Sequence, residues 1–253
     1  SLTLGLGVFA LGLPGRAWAT ALPTGAEIVH GDVSLDRSSA NALRMVQGSQ
    51  AAIVNWQSFD VGAGNLVDIL QPNVDAAMLS RVVGGNPSEI LGALQANGRL
   101  FLVNPNGIVF GQSATVNVHG LVASTLDLSN ADFLTGNLRF TGDSDAAVVN
   151  LGSISAESFA ALIGGEVTNL GSISAPGGDA ALLAADATLD LGEAGDGKIT
   201  LDLSGLLDGV TSNPGSIDVA SAAGQGGSAT LLGDQVTVAG SIDASGAAGG
   251  GEV

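Results

Sequence analysis

The 253 residues contain no cysteine and no tyrosine, two Trp and seven Phe, and charged side chains make up only 12% of the chain. Each scarcity excludes something. Without Cys there is no disulfide, no thiolate metal site and no thiol nucleophile, so packing alone must stabilise the fold. A chain without cross-links can also be threaded unfolded through a narrow pore. So few charges leave long helices without wet faces, since surface helices are rich in Glu, Lys and Arg. Cations are the scarcest charge: Lys and Arg total seven, and from Thr141 onward Lys198 is the only one. Nucleic acids and anionic membranes need clustered cations, so neither is a partner. His30 and His119 are the only histidines and lie far apart, outside any metal-ligand spacing. There is no P-loop, nucleophile elbow or dinucleotide fingerprint. The glycines at 177–178 and 224–227 lack the Lys or helix start that phosphate binding needs, and no calcium-binding nonapeptide or EF-hand loop occurs. The expectation is a protein with no cofactor, no metal and no catalytic site.

What is present is apolar and small. The hydrophobic fraction of 45% excludes a disordered acidic tail despite a net charge of −17, so the acidity reads as solubility. Thirty-nine glycines among Ala, Val, Leu, Ile, Ser, Thr, Asn and Asp suit short strands punctuated by turns. The length allows one large domain or two small ones.

Residues 2–13 form an apolar run, followed by Pro14, Gly15, Arg16 and Ala17-Trp18-Ala19. A short apolar core ending in A-x-A is a signal-peptidase pattern, with Ala17 and Ala19 at the cleavage site and Thr20 as the mature start. The run is too short to span a bilayer. The competing reading is a buried N-terminal strand. Ser1 in place of Met and the turn-like 246–253 segment read as the ends of a fragment.

Past residue 145 the sequence repeats. Val149-Asn150-Leu151-Gly152-Ser153-Ile154-Ser155-Ala156 returns nineteen positions later as Thr168-Asn169-Leu170-Gly171-Ser172-Ile173-Ser174-Ala175, and Gly215-Ser216-Ile217-Asp218 recurs twenty-five later from Gly240. Runs at 161–163, 181–184, 199–203 and 235–238 lie between, each bounded by Gly, Asn or Asp. Imperfect repeats of about twenty residues with two or three short strands each indicate a solenoid. A leucine-rich repeat frame is absent, which leaves a parallel β-helix in which equivalent strands stack and Asn150 and Asn169 form a hydrogen-bonded ladder. The earlier residues lack the repeat and hold most of the aromatics. They predict strands at 51–56, 66–70, 100–103 and 108–110, a short helix over 88–96 with Ser88 as its N-cap, and an irregular cap on the solenoid's open end.

The most specific local sequence runs from Gly98 to Gly111 around Asn104-Pro105-Asn106-Gly107. Its chemistry is a turn: the Asn104 side chain can accept the N–H two residues on, Pro105 fixes φ, Asn106 tolerates the third position and Gly107 releases the chain. With Leu22-Pro23-Thr24-Gly25, Ile53-Val54-Asn55-Trp56-Gln57-Ser58-Phe59, Arg81-Val82-Val83-Gly84-Gly85-Asn86-Pro87-Ser88 and Val116 to Thr125, the chain resembles the two-partner secretion, or haemagglutination-activity, domain of filamentous haemagglutinin-type exoproteins. The likeness covers about residues 21–208 and is nearest to the high-molecular-weight adhesin branch.

That resemblance implies an all-β, right-handed parallel β-helix with an N-terminal cap and extra-helical strands. It implies recognition by an outer-membrane barrel transporter whose periplasmic POTRA domains receive the unfolded exoprotein, with folding outside the cell. The family's NPNG motif falls on Asn104, Pro105, Asn106 and Gly107. Its second motif, NPNL, falls on Gln71, Pro72, Asn73 and Val74, where two letters differ. Both are expected as turns that help the cap fold, with direct transporter contact by NPNG the alternative. The domain plan is a signal peptide at 1–19, cap and first coils at 20–140, and regular coils at 141–253. The chain is expected to leave through the periplasm for the cell surface or medium.

Two rival readings remain open. Parallel β-helices include carbohydrate enzymes, and Asp179, Asp186 and Asp190 could share a face, yet only Lys198 is near to hold an acidic sugar. His119 reads as an ordinary surface turn residue. Alternatively the coils are themselves adhesive, binding host carbohydrate or protein, or belong to an autotransporter passenger, with host-cell receptors engaged by the full-length protein.

Overall fold

The computed structural model describes residues 21–190, 200–202 and 209–253. The A-x-A segment around Ala17 and Ala19 lies outside them, as does Lys198.

Strands dominate because β-branched and small apolar residues alternate with polar ones over short runs. The chain begins with β1 (Glu27–His30), β2 (Val33–Asp36), β3 (Ala42–Gln47), β4 (Ala51–Trp56), β5 (Leu66–Leu70) and β6 (Ala77–Val82). Coils then follow as β7 (Ser88–Ile90), β8 (Ala93–Val103), β9 (Ile108–Phe110) and β10 (Thr115–Ser124). A first excursion holds β11 (Asp127–Leu128), α1 (Asn130–Thr135) and β12 (Leu138–Thr141). The coil resumes with β13 (Ala147–Asn150), β14 (Ser153–Ile163), β15 (Glu166–Asn169), β16 (Ser172–Ser174) and β17 (Asp179–Leu183). A second excursion carries β18 (Ala187–Asp190) and β19 (Thr200–Asp202), before β20 (Val210–Asn213), β21 (Ser216–Asp218), β22 (Ser228–Leu232), β23 (Gln235–Val238) and β24 (Ser241–Asp243).

These strands make a right-handed parallel β-helix of three-sided coils. The six-stranded sheet β7-β9-β13-β15-β20-β23 forms one side. The other two sides belong to a fourteen-stranded sheet whose long strands turn a corner midway. Thus β8 pairs with β5 through residues 93–96 and with β6 through residues 99–103, all in parallel. Further along, the corner opens and β16 and β17 stack separately on the two halves of β14. Only β1 on β4 and β2 on β3 run antiparallel in this sheet, at its N-terminal end, where they protect edges that would otherwise be open.

The repeats are the stacking. Val148 lies on Val167 and Ile154 on Ile173, nineteen positions apart, and Ser216, Ile217 and Asp218 lie on Ser241, Ile242 and Asp243. The Asn ladder exists and is longer than the sequence indicated. Asn150 Nδ2 donates to Asn169 Oδ1 at 2.8 Å, and Asn169 Nδ2 donates to Asn213 Oδ1 at 2.7 Å, all three side chains being fully buried.

There are two cores. The first fills the coil interior with residues such as Leu43, Met45, Ile69, Leu94, Leu121, Ile154 and Leu182, and ends in an edge-to-face contact between Trp56 and Phe59. The second lies outside the coils. The excursions form an antiparallel sheet, β11-β12-β18-β19, that packs Leu128, Leu138, Phe140 and Leu189 against the outer face of the large sheet at Ile53, Leu79, Phe101, Val122 and Phe159.

Two expectations are corrected. Residues 88–96 are not a helix; they form β7 and the start of β8. The apolar spacing of Ile90, Leu91 and Leu94 suits a helix locally, but stacking on β9 and β10 outweighs it. Ser88, expected as an N-cap, is instead a buried acceptor for Asn104. The one helix among the described residues is α1. Ser129 caps it, accepting the Asp132 N–H at 3.1 Å, and Gly136 closes it at φ 76°.

Candidate functional site: two motif turns and the His119 corner

The NPNG turn follows β8 directly. Asn104 is fully buried and polar, so each of its atoms needs a partner. Its Oδ1 accepts the Asn106 N–H at 3.0 Å, and its Nδ2 donates to Asn86 O at 3.0 Å and Ser88 Oγ at 2.9 Å. The Gly107 N–H closes the turn on Asn104 O at 3.1 Å, and Gly107 takes φ +114°, which a side chain would resist. Asn106 reaches away, donating from Nδ2 to Gly84 O at 2.8 Å, and Ser144 Oγ donates to Pro105 O at 2.7 Å. One turn therefore joins three chain segments: the loop before β7, the end of β8 and the strand of chain entering β13. Gly84 has no room for a side chain, since a Cβ there would lie 1.9 Å from Gln57 O.

The second turn follows β5. Gln71 replaces the Asn of the resembling motif and is buried. Its side-chain amide nitrogen Nε2 donates to Ala76 O at 2.9 Å and, more loosely at 3.3 Å, to Gln47 Oε1 and Arg99 O. Its backbone is clamped both ways by Asn97, which accepts the Gln71 N–H at 2.6 Å and donates to Gln71 O at 2.9 Å. Asn73 Oδ1 accepts the N–H groups of Asp75 and Ala76 at 3.0 Å, while Pro72 and Val74 are exposed. Arg99 pairs with Asp75 at 2.8 Å. The two turns are not brought together: Gln71 sits at the β8 corner and Asn104 at its far end.

His119 corrects the surface-turn expectation. It lies within β10, with its side chain 15% exposed and Nδ1 3.1 Å from Glu157 Oε2. At this corner β10 is one residue shorter than its neighbours: His119 alone faces Asn97 and Gly98 of β8 on one side and Glu157 and Ser158 of β14 on the other. Gly120 follows because the Phe159 ring lies where its side chain would be, 2.5 Å from a Cβ. Of the acidic trio considered for a carbohydrate enzyme, the two described side chains differ in setting. Asp179 is buried and accepts the Ser228 N–H at 3.1 Å, whereas Asp186 borders a crevice with Asp143 and Asp145. The Asp190 side chain lies outside the described ones. Among the described residues no three His, Cys, Asp or Glu side chains are grouped to hold a metal ion.

Sequence reasoning placed Arg81 in a resembling stretch but gave it no role. From β6 it donates to Asp127 Oδ1 at 2.9 Å, Asn130 Oδ1 at 2.7 Å and Leu128 O, pinning the first excursion to the coil. Its partners lie 46–49 positions ahead, so nothing in the local sequence marked it.

The chain is thus a cysteine-free parallel β-helix, capped at its N-terminal end, with one turn built on buried Asn104 and another on buried Gln71. The chain belongs to the TPS (two-partner secretion) domain family, whose TPS secretion domain model matches residues 19–253. The crystal structure of the HMW1 secretion domain from Haemophilus influenzae superposes with a TM-score of 0.78 at 31% identity, over 88% of this chain and 59% of that one. The filamentous hemagglutinin secretion domain shares the fold at 16% identity and TM-score 0.52, over 91% and 99%. Two Haemophilus influenzae proteins named heme/hemopexin-binding protein are also similar, at 40% identity over 129 residues (50% of this chain) and 35% over 173 (64%). The chain spans only 14% and 19% of those two. It is a secretion-targeting domain of the kind that directs large exoproteins across the outer membrane through a dedicated outer-membrane transporter. No helix among the described residues is long and apolar enough to cross a membrane.

Proposed function

We propose that the POTRA domains of the barrel transporter receive this chain in the periplasm, and that the NPNG turn at Asn104–Gly107 acts by folding the first coils rather than by touching the transporter. The burial of Asn104, with every polar atom of its side chain turned inward on Asn86, Ser88 and Asn106, carries this reading. Pro105 and Asn106 are the exposed part of the turn, and they are where a contacting role would reside. The domain itself is non-catalytic, and the exported exoprotein resides at the cell surface or in the medium. Its two similar heme/hemopexin-binding proteins support a binding role for the whole exoprotein, with a host protein or haem as the target.

The test fuses a reporter downstream of the full chain, with the transporter present, and replaces Asn104 or Asn106 by Ala. The Asn104 variant is expected to export poorly and to be clearly destabilised as a purified domain, and the Asn106 variant to keep most of both export and stability. Normal export with Asn104→Ala, or lost export of an Asn106→Ala domain that still folds, defeats the folding assignment.

A further inference from the structure

The outer face of the large sheet carries an apolar stripe made of Ile53, Leu79, Phe101, Val122, Phe159 and Leu183, one from each successive coil or half-coil. It is buried beneath the exterior sheet and α1, whose Phe133 ring meets Phe101 edge-to-face at 5.5 Å. That cover comes from two excursions that meet through β12 and β18, where Leu138 faces Leu189, Arg139 faces Thr188 and Phe140 faces Ala187. Those partners are 47–51 positions apart, and two complete coils separate them. Coil stacking between the excursions is far more local, since β14 rests on β16 with partners nineteen positions apart. Local pairings close sooner than distant ones because they surrender less chain entropy. The coils on either side of each excursion also stack directly, β10 on β14 with partners 38–39 positions apart and β17 on β22 with partners 49 apart, so only the coils between the excursions have the local advantage.

We propose that the exterior sheet is a completion latch: the coils between the excursions, β13 to β17, assemble first, and the outer face is sealed only when β11–β12 and β18–β19 occupy the same compartment. A chain part-way through a pore then has stacked coils and an open apolar face, and the latch closes when the whole domain has cleared. This rests on the secretion reading for its consequence, though the order of assembly does not depend on it.

Because the chain has no cysteine, introduced pairs report without background. In the full chain, Arg139→Cys with Thr188→Cys reports the latch, and Ser153→Cys with Ser172→Cys, already in hydroxyl contact at 3.2 Å, reports the coils. Strand partners of this kind lie within disulfide reach. Each purified variant is refolded from denaturant under oxidising conditions and sampled over time. The 153–172 cross-link is expected to form about fourfold faster than the 139–188 cross-link, the ratio that loop closure gives for separations of 19 and 49 residues; equal rates or the reverse order overturn the proposal. Adding Leu189→Asp to each pair is the second arm: the coil cross-link should persist, the latch cross-link should fall at least tenfold, and an apolar dye should bind the open stripe. Loss of both cross-links would show that coils and exterior sheet are one unit, which also overturns it. Refolding involves no transporter, so failure here leaves the export assignment standing, and a failed export assay leaves this order of assembly standing.

Discussion

Asn169 is the middle rung of the amide ladder, and replacing it by Ala isolates what the ladder contributes. Its side chain accepts from Asn150 and donates to Asn213 Oδ1 and, at 3.2 Å, to Ser216 O. Truncation leaves Asn150 Nδ2 with only the Ser172 carbonyl at 3.2 Å. It strips Asn213 more severely, because Asn213 Nδ2 is buried with no partner and Oδ1 would then join it. A buried polar group left unpaired costs about 1–3 kcal/mol. With a small cavity added, the sum is about 3–5 kcal/mol, a large part of the roughly 5–15 kcal/mol by which domains are stable. Asn213→Ala is the internal control. It removes one acceptor from Asn169, which keeps Ser216, and it deletes a donor that was already unpaired, so about 1 kcal/mol is expected. Guanidinium unfolding followed by far-UV circular dichroism measures both, provided the slope m stays unchanged. If Asn169→Ala costs no more than Asn213→Ala, the ladder is not a linked chain of bonds and the reasoning fails.

The two turn asparagines should separate in the same assay. Asn104→Ala removes four hydrogen bonds from a fully buried site and should cost about 3 kcal/mol, against about 1 kcal/mol for exposed Asn106; comparable losses would contradict the division of labour within the turn. Asp132 supplies a pH test. Hydrogen bonds from Ser129 and then Asn137 hold its carboxyl below the ordinary 3.8, so its contribution to the α1 cap is present above that value and disappears as pH falls through the lower, folded-state one. Carboxyl NMR should place its midpoint under 3.8 and raise it in Ser129→Ala; an unmoved midpoint in that variant would remove Ser129 as the cause.

Much of the coil was readable from residues because its grammar is local. Strands at 51–56, 66–70, 108–110 and 235–238 fall where alternation and bounding Gly or Asn placed them, and the nineteen-residue repeat is the rise from one coil to the next. The expected 199–203 strand is β19 over Thr200–Asp202, its neighbours lying outside the described residues. The NPNG turn was legible as a turn, but not as a junction: Gly84 and Ser144 are 22 and 39 positions from their partners in it. The same distance hid the exterior sheet, whose Leu138 and Leu189 look like any other strand apolars until they meet. Helix α1 did carry signals, Ser129 with Asp132 three residues on and Gly136 at the end, yet six residues are too few to show helical periodicity. Residues 88–96 had the periodicity without the helix.

The excursions also bear on how such domains can vary. Asn150 and Asn169 are nineteen positions apart and Asn169 and Asn213 are forty-four, yet both pairs are one coil apart in space. Stacking therefore fixes where the chain must return, not how much of it is used on the way. Segments can be lengthened, shortened or exchanged at these two departures while the underlying stack keeps its register. Comparing members of the family by residue count between motifs will thus mislead, and counting coils is the sounder measure.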